Sequence, residues 1–202
     1  MDFYKVEKAG GKNAKDCAKL IHLAYKDFSY KLIGTKDDAE VLETYEKLWI
    51  TNNTRFSYEK SYVVESERNT IALLTFCDGK DTAKLSSNTV KNIFRINPVK
   101  YFWYLITHLP YLISSIFTIE SNKDELCLLV LGVDSKYQGK GIGNLLLDFL
   151  KQKAIELKFN KISVLCSAND ENVIRFYEKN CFYKVKILNA PPFNYYKMVR
   201  EI

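Results

Sequence analysis

Two rhythms of apolar and polar residues alternate along this chain, and they predict its elements. Apolar positions 14, 17, 18, 21, 24, 25 and 28 recur at helical spacing and predict an amphipathic helix over Asn13–Ser29, capped by Asn13. Positions 41, 42, 45, 48 and 49 predict a second helix over Asp37–Ile50. Strand patterns cover Phe3–Val6, then Ser61–Glu65 and Thr70–Phe76 as a hairpin around the polar turn Ser66–Asn69. Further on, Leu128–Val133 is a continuous apolar run, Gly141–Lys158 is helical, and Lys161–Ser167 alternates with β-branched residues. Phe182–Leu188 and Tyr195–Val199, around Pro191–Pro192, are expected as the last two strands.

One stretch departs from both rhythms. Tyr101–Ile119 carries no Asp, Glu, Lys or Arg and is long enough to cross a bilayer. Pro110 interrupts it, His108 lies inside it, and a span would put Ile71–Phe76 and Leu128–Val133 on opposite sides of a membrane. It is therefore expected to form two helices broken near Leu109–Pro110, inserted between the third and fourth strands. Packing against the domain, lining a pocket, a homodimer contact and a membrane-surface contact are its open uses.

The chemistry concentrates between residues 128 and 182. An apolar strand leads through Asp134–Tyr137 to Gln138-Gly139-Lys140-Gly141-Ile142-Gly143 and a helix, an order that suits a phosphate cradle at a helix N-terminus. Gly139-Lys140 is followed by Gly141 rather than Ser or Thr, which disfavours a nucleotide triphosphatase. The next strand ends at Cys166-Ser167 without an acidic ribose partner, which disfavours dinucleotide binding. The loop instead resembles the Gln/Arg-x-x-Gly-x-Gly/Ala signature of GCN5-related N-acetyltransferases (GNAT). The segment Phe176-Tyr177-Glu178-Lys179-Asn180-Cys181-Phe182 resembles that family's Tyr-Glu-Lys-x-Gly-Phe motif. Two departures stand out. Asp170 occupies the place of a frequent Asn, flanked by Asn169 and Asn172. Cys181 replaces a Gly, so a different helix ending is expected.

The resemblance implies an α/β (α+β) fold with a mixed, largely antiparallel sheet flanked by helices, and acetyl-CoA as co-substrate. The implied cofactor contacts are the strand backbone at Leu131, Gly132 and Val133, the loop residues Gln138, Gly139, Lys140, Gly141, Ile142, Gly143 and Asn144, and the amides Asn169 and Asn172. It also implies Tyr177 as general acid toward the leaving sulfur. For the general base Glu125 is the first choice, ahead of Glu120 and Asp124, because it precedes a strand whose start faces the acceptor cleft in that architecture. An ordered water chain is an alternative. Lys140 is expected to meet phosphate, and Lys136 equally to do so or to be an ordinary surface lysine.

Composition narrows the setting. At 202 residues, 47% hydrophobic, without linker or repeat, the chain is expected to form one domain, residues 1–202, with residues 85–123 as its variable aromatic-rich insert. Thirty basic against twenty-four acidic residues give +6, spread without a basic block, so nucleic acid is not expected as a partner. Cysteines 17, 77, 127, 166 and 181 show neither a disulfide framework nor metal-ligand spacing; Cys17, Cys127 and Cys166 read as core, and a reducing cytoplasm is expected. The resemblance implies an amine acceptor, a small molecule favoured over a protein because the insert could close the cleft. The alternative is a non-catalytic acyl-CoA-binding or membrane- or partner-interaction protein on the same fold.

Overall fold

The computed structural model describes residues 4–104, 106, 121–190 and 193–202. A seven-stranded sheet runs in the order β1-β2-β3-β4-β5-β7-β6, with β1 at Val6–Lys8, β2 at Ser61–Ser66, β3 at Asn69–Asp78, β4 at Leu126–Val133, β5 at Lys161–Ser167, β6 at Tyr183–Ala190 and β7 at Phe193–Glu201. Among the described residues only β4 and β5 pair in parallel; every other neighbouring pair is antiparallel. The expected mixed, largely antiparallel sheet is present. Pro191 and Pro192 lie outside the described residues.

Helices cover both faces. On one, α1 (Ala14–Tyr25), α3 (Asp38–Trp49) and α4 (Thr82–Ile96) pack with Leu73, Cys127 and Leu129. Tyr45, Leu48, Trp49 and Phe56 are fully buried there, and an apolar side chain of this size contributes about 1.5–3 kcal/mol when buried. On the other face, α5 (Ile142–Glu156) and α6 (Glu171–Lys179) close over Leu126, Leu128, Val164 and Cys166. Cys17, Cys127 and Cys166 are buried, as their apolar contexts predict, and Cys77 joins them.

Several boundaries differ from the sequence pattern. The single helix expected over Asn13–Ser29 is two, α1 and α2 (Asp27–Ile33), broken at Lys26 with φ 47° and ψ −127°. The apolar spacing carries through the break, so periodicity alone misses it. Asn13 makes no side-chain cap bond; its amide donates to Glu65 (2.6 Å) and Thr70 (3.0 Å) instead. Asp37 does cap α3, accepting from the Ala39 N–H. The insert between β3 and β4 starts with α4 and continues as a helical stretch over 98–104. There the Tyr101 hydroxyl donates to the Leu32 carbonyl, and Tyr104 crosses Gly34 so closely that a Cβ on that glycine would lie 2.8 Å from the ring. The break expected at Leu109–Pro110, with His108, lies outside the described residues. Among the described residues no helix is long and apolar enough to cross a membrane.

Candidate active site

Strand β4 organises the site by changing neighbours along its length. Its pairing with β3 shifts register between Thr75 and Phe76, leaving Leu129 as an extra residue opposite that step. Leu129 and Val130 consequently both pack toward α1 and α3, although strand alternation would separate them. Such a bulge bends its strand. Pairing with β5 stops at the same place, ending at Leu128 and Val164. Beyond it, β4 stays with β3 as far as Val133, and β5 stays with β7 as far as Ser167. The two parallel strands therefore part, and the backbone of Leu131–Val133 has no β5 partner. Gly132 has a second constraint: a Cβ there would lie 2.8 Å from the Leu20 carbonyl oxygen, so its smallness lets α1 cross β4.

The glycine-rich loop stands where β4 ends. Asp134 caps a 3-10 turn at Ser135–Tyr137 by accepting from the Lys136 N–H at 2.9 Å. The Gln138 side chain folds back and donates to the Val133 carbonyl at 3.0 Å. Gly139 and Gly141 adopt φ 76° and 82°, and nothing lies within 4 Å of a Cβ built on either. Their requirement is conformational, and the space before them is open. The first helical bond runs from the Leu145 N–H to the Gly141 carbonyl, so Ile142, Gly143 and Asn144 present N–H groups with no intrahelical acceptor. Gly143 differs from the other two glycines: a Cβ would meet the Phe176 ring at 3.0 Å, so it allows α5 and α6 to touch. Lys140 is exposed and lies 4.7 Å above the Tyr137 ring. These features fit a diphosphate, which needs an open cradle, donor N–H groups and nearby positive charge.

Tyr177 is buried in the cluster beneath α5 and α6. Burial pushes its phenol well above the ordinary tyrosine range, with the neighbouring Cys166 thiol and Tyr25 hydroxyl adding to the effect, so it stays protonated at neutral pH. Burial also raises the Cys166 thiol to about 11. The end of α6 holds Tyr177 in place: the Phe182 N–H donates to the Tyr177 carbonyl and the Cys181 N–H to that of Glu178, a Schellman pair. The Tyr177 and Phe182 rings meet edge to face at 5.3 Å. Cys181 takes φ 63° here, so the departure from Gly leaves the helix ending unchanged, contrary to the expectation from sequence.

Asp170 caps α6 through the Val173 N–H and pairs with Lys26 at 2.5 Å. The bond from Lys26 dominates in holding its carboxyl below the usual range. Asn169 and Asn172 are exposed at the same helix start, and the Asn144 side chain accepts from Asn180 at 3.2 Å.

Glu125 stands apart from this group. It precedes the closed end of β4 and is only 2% exposed. It pairs with buried Lys197 at 2.8 Å and accepts from the Asn122 N–H at 2.8 Å, the Asn122 amide at 2.6 Å and the Ser121 hydroxyl at 3.1 Å. Burial alone would raise its carboxyl; Lys197, Asn122 and Ser163 outweigh that and hold it below the ordinary value. A carboxylate so occupied is poorly suited to accept a proton from an incoming amine. Asp124 is exposed, and Glu120 lies outside the described residues.

Sequence reasoning missed Tyr25. Its hydroxyl donates to the Leu129 carbonyl at 3.2 Å, at the bulge where the strands part. The only signal was an apolar place in the α1 repeat, which reads as core.

Residues 98–182 match the acetyltransferase (GNAT) family. An N-acetyltransferase from Staphylococcus aureus Mu50 superposes with TM-score 0.74 at 20% identity, over 96% of this chain and 99% of that one. Another acetyltransferase gives 0.72 at 16% identity over 98% and 99%. The PaiA N-acetyltransferase from Thermoplasma acidophilum, solved in complex with coenzyme A, gives 0.57 at 12% identity over the whole of both chains. The chain thus has the fold of GNAT acetyltransferases, and its residues 98–182 match that family.

Proposed function

We propose that this chain is an acetyl-CoA-dependent N-acetyltransferase that moves the acetyl group directly to a primary amine in a ternary complex. The observation that carries the reading is the coincidence, at one end of β4, of unpaired strand backbone with a glycine loop open to an anion. In this reading Gly139–Asn144 hold the pyrophosphate, Lys140 adds charge, Asn169 and Asn172 border the pantetheine arm, and the backbone of Leu131–Val133 bonds along it. The amine nitrogen attacks the thioester carbonyl carbon. A C–N bond forms, the C–S bond breaks with its electron pair on sulfur, Tyr177 gives that sulfur its proton so that coenzyme A leaves as a thiol, and the proton that water takes from the amine returns to Tyr177. Tyr177, protonated at neutral pH, donates a hydrogen bond to that sulfur. Glu125 is assigned to holding the sheet, and proton removal from the amine to water.

Calorimetric titration with acetyl-CoA, with ATP and NAD as controls, tests this. Selective micromolar binding that disappears in Gly141→Glu is expected, because bulk and negative charge would enter the cradle. A folded wild-type protein that binds no acetyl-CoA would remove the proposal.

A second reading has its own observation. Val99, Phe102, Trp103 and Ile106 are all more than half exposed and recur at helical spacing, as on a helix that lies on a membrane surface. Flotation with anionic liposomes that is lost in Trp103→Glu would favour it.

A further inference from the structure

The gap between β4 and β5 has two unlike faces. On one, α5 and α6 close over the sheet, with Tyr177 and Cys166 buried beneath them. An amine cannot reach a thioester from that face without displacing a helix. On the other face a row of aromatic rings runs across the gap. Tyr25 is tied to the β4 side through the Leu129 carbonyl. Phe28, on α2, lies 5.6 Å from Tyr25, 6.3 Å from Tyr195 and 6.0 Å from Phe193, measured between ring centroids. Tyr195 sits opposite Ser167, the last residue of β5, so the row reaches the far side. Its neighbours Tyr196 and Met198 pack into the cluster under α5 and α6, and strand alternation therefore turns Tyr195 and Phe193 toward α1. All four rings are half-buried, the exposure of a surface that is built but still reachable.

Lys26, between Tyr25 and Phe28, is held at φ 47° and ψ −127°, a conformation that L-residues rarely adopt, and its ammonium stands at the rim paired with Asp170. The Asp170 carboxylate is thereby engaged, while Asp27, next in the chain, is exposed.

Resting on the N-acetyltransferase reading, we propose that the row Tyr25, Phe28, Phe193 and Tyr195 seats the acceptor, and that this acceptor is a primary monoamine on a flat apolar body, of the phenethylamine type, rather than a polyamine. Ring faces and edges contribute offset and edge-to-face contacts to an aromatic body. A second, distal ammonium would be brought near the Lys26 ammonium at the rim, and the Asp170 carboxylate there is already engaged.

The test compares phenethylamine, hexylamine and spermidine at saturating acetyl-CoA, in wild type, Phe28→Ala and Phe193→Ala, with acetyl-CoA affinity measured by calorimetry in each. Phenethylamine is expected to exceed spermidine in kcat/KM by roughly ten-fold or more. Phe28→Ala should shrink that preference mainly through KM, at unchanged acetyl-CoA affinity, and Phe28→Tyr should restore it. Spermidine preferred by the wild type would overturn the proposal, as would equal losses for both amines in Phe28→Ala. Should Phe28→Ala not fold, Phe28→Leu keeps the apolar volume without the ring and is read the same way. If the folded wild type binds no acetyl-CoA, the N-acetyltransferase reading itself fails, which calorimetry separates from the wrong acceptor class.

Discussion

The two ends of β4 are built on opposite principles. From Leu126 to Leu128 the strand has partners on both sides, and the residue before it, Glu125, has its carboxylate filled by Lys197, Asn122 and Ser121. From the Leu129 bulge onward it has one strand neighbour, its other edge is open, and it leads into two glycines with empty space before them. An exposed strand edge inside a domain is costly unless something ordered holds it in shape. The closed end supplies that order: it fixes where β4 and β5 start, and the bulge then sets where they separate.

Breaking the closed end should have the largest effect. Glu125→Ala leaves the Lys197 ammonium buried without its partner and is expected to cost about 3–5 kcal/mol of stability, read from denaturant midpoints. Replacing both members, Glu125→Leu with Lys197→Met, should recover most of the loss, since apolar pairs replace buried ion pairs at little cost. The pH dependence has a defined sign. The Glu125 carboxyl is held below its ordinary 4.5, so its contribution is present above that value and is lost as pH falls through the lower folded value. The double variant should lack that part of the acid loss. A Glu125→Gln protein with wild-type stability and abolished turnover would instead make Glu125 the base.

At the open end the corresponding probe is Tyr177→Phe. Burial and the neighbouring Cys166 and Tyr25 act on this hydroxyl, with no hydrogen bond among the described residues, so its removal should leave stability and acetyl-CoA affinity near wild type. Turnover should fall about 10²-fold, the lower range for a proton donor. Unchanged turnover would take the general-acid role away from Tyr177 and leave it a core residue.

These two ends also differ in how far they could be read from sequence. The glycine loop was legible because positive φ and close approach demand particular residue types, and Gly139 and Gly141 meet that demand. Most strands were legible from alternation. The start of β4 was placed two residues late, beside the charged Glu125. The parting of β4 from β5 has no side-chain signature, since it consists of hydrogen bonds not made; here it was expected only through family resemblance. The Glu125–Lys197 pair joins residues far apart in the chain, and no local pattern links them. The break at Lys26 carries neither Gly nor Pro. Tyr25 and Phe28 showed only their apolar periodicity, which places a residue on a helix face and cannot say whether that face meets a core or a cleft.

Cys181 gives the smallest and most local test of what holds the open end. The sequence alone suggests that losing Gly there changes how α6 stops. The backbone stops identically, with Phe182 bonded to the Tyr177 carbonyl and Cys181 to that of Glu178. The difference is energetic: a residue with a Cβ sits at φ 63°, in the left-handed region, which costs about 1 kcal/mol relative to Gly. Cys181 is exposed and its side chain fills no core space, so Cys181→Gly removes the strain with little packing loss. We expect a rise in melting temperature of about 2–4 °C for a chain of this size, with acetyl-CoA affinity unchanged. Cys181→Ala, which keeps the Cβ, should show no such rise. A gain in both variants would trace the effect to the thiol and remove the strain argument; a gain in Gly alone ties the position of Tyr177 to the geometry of the turn that follows it.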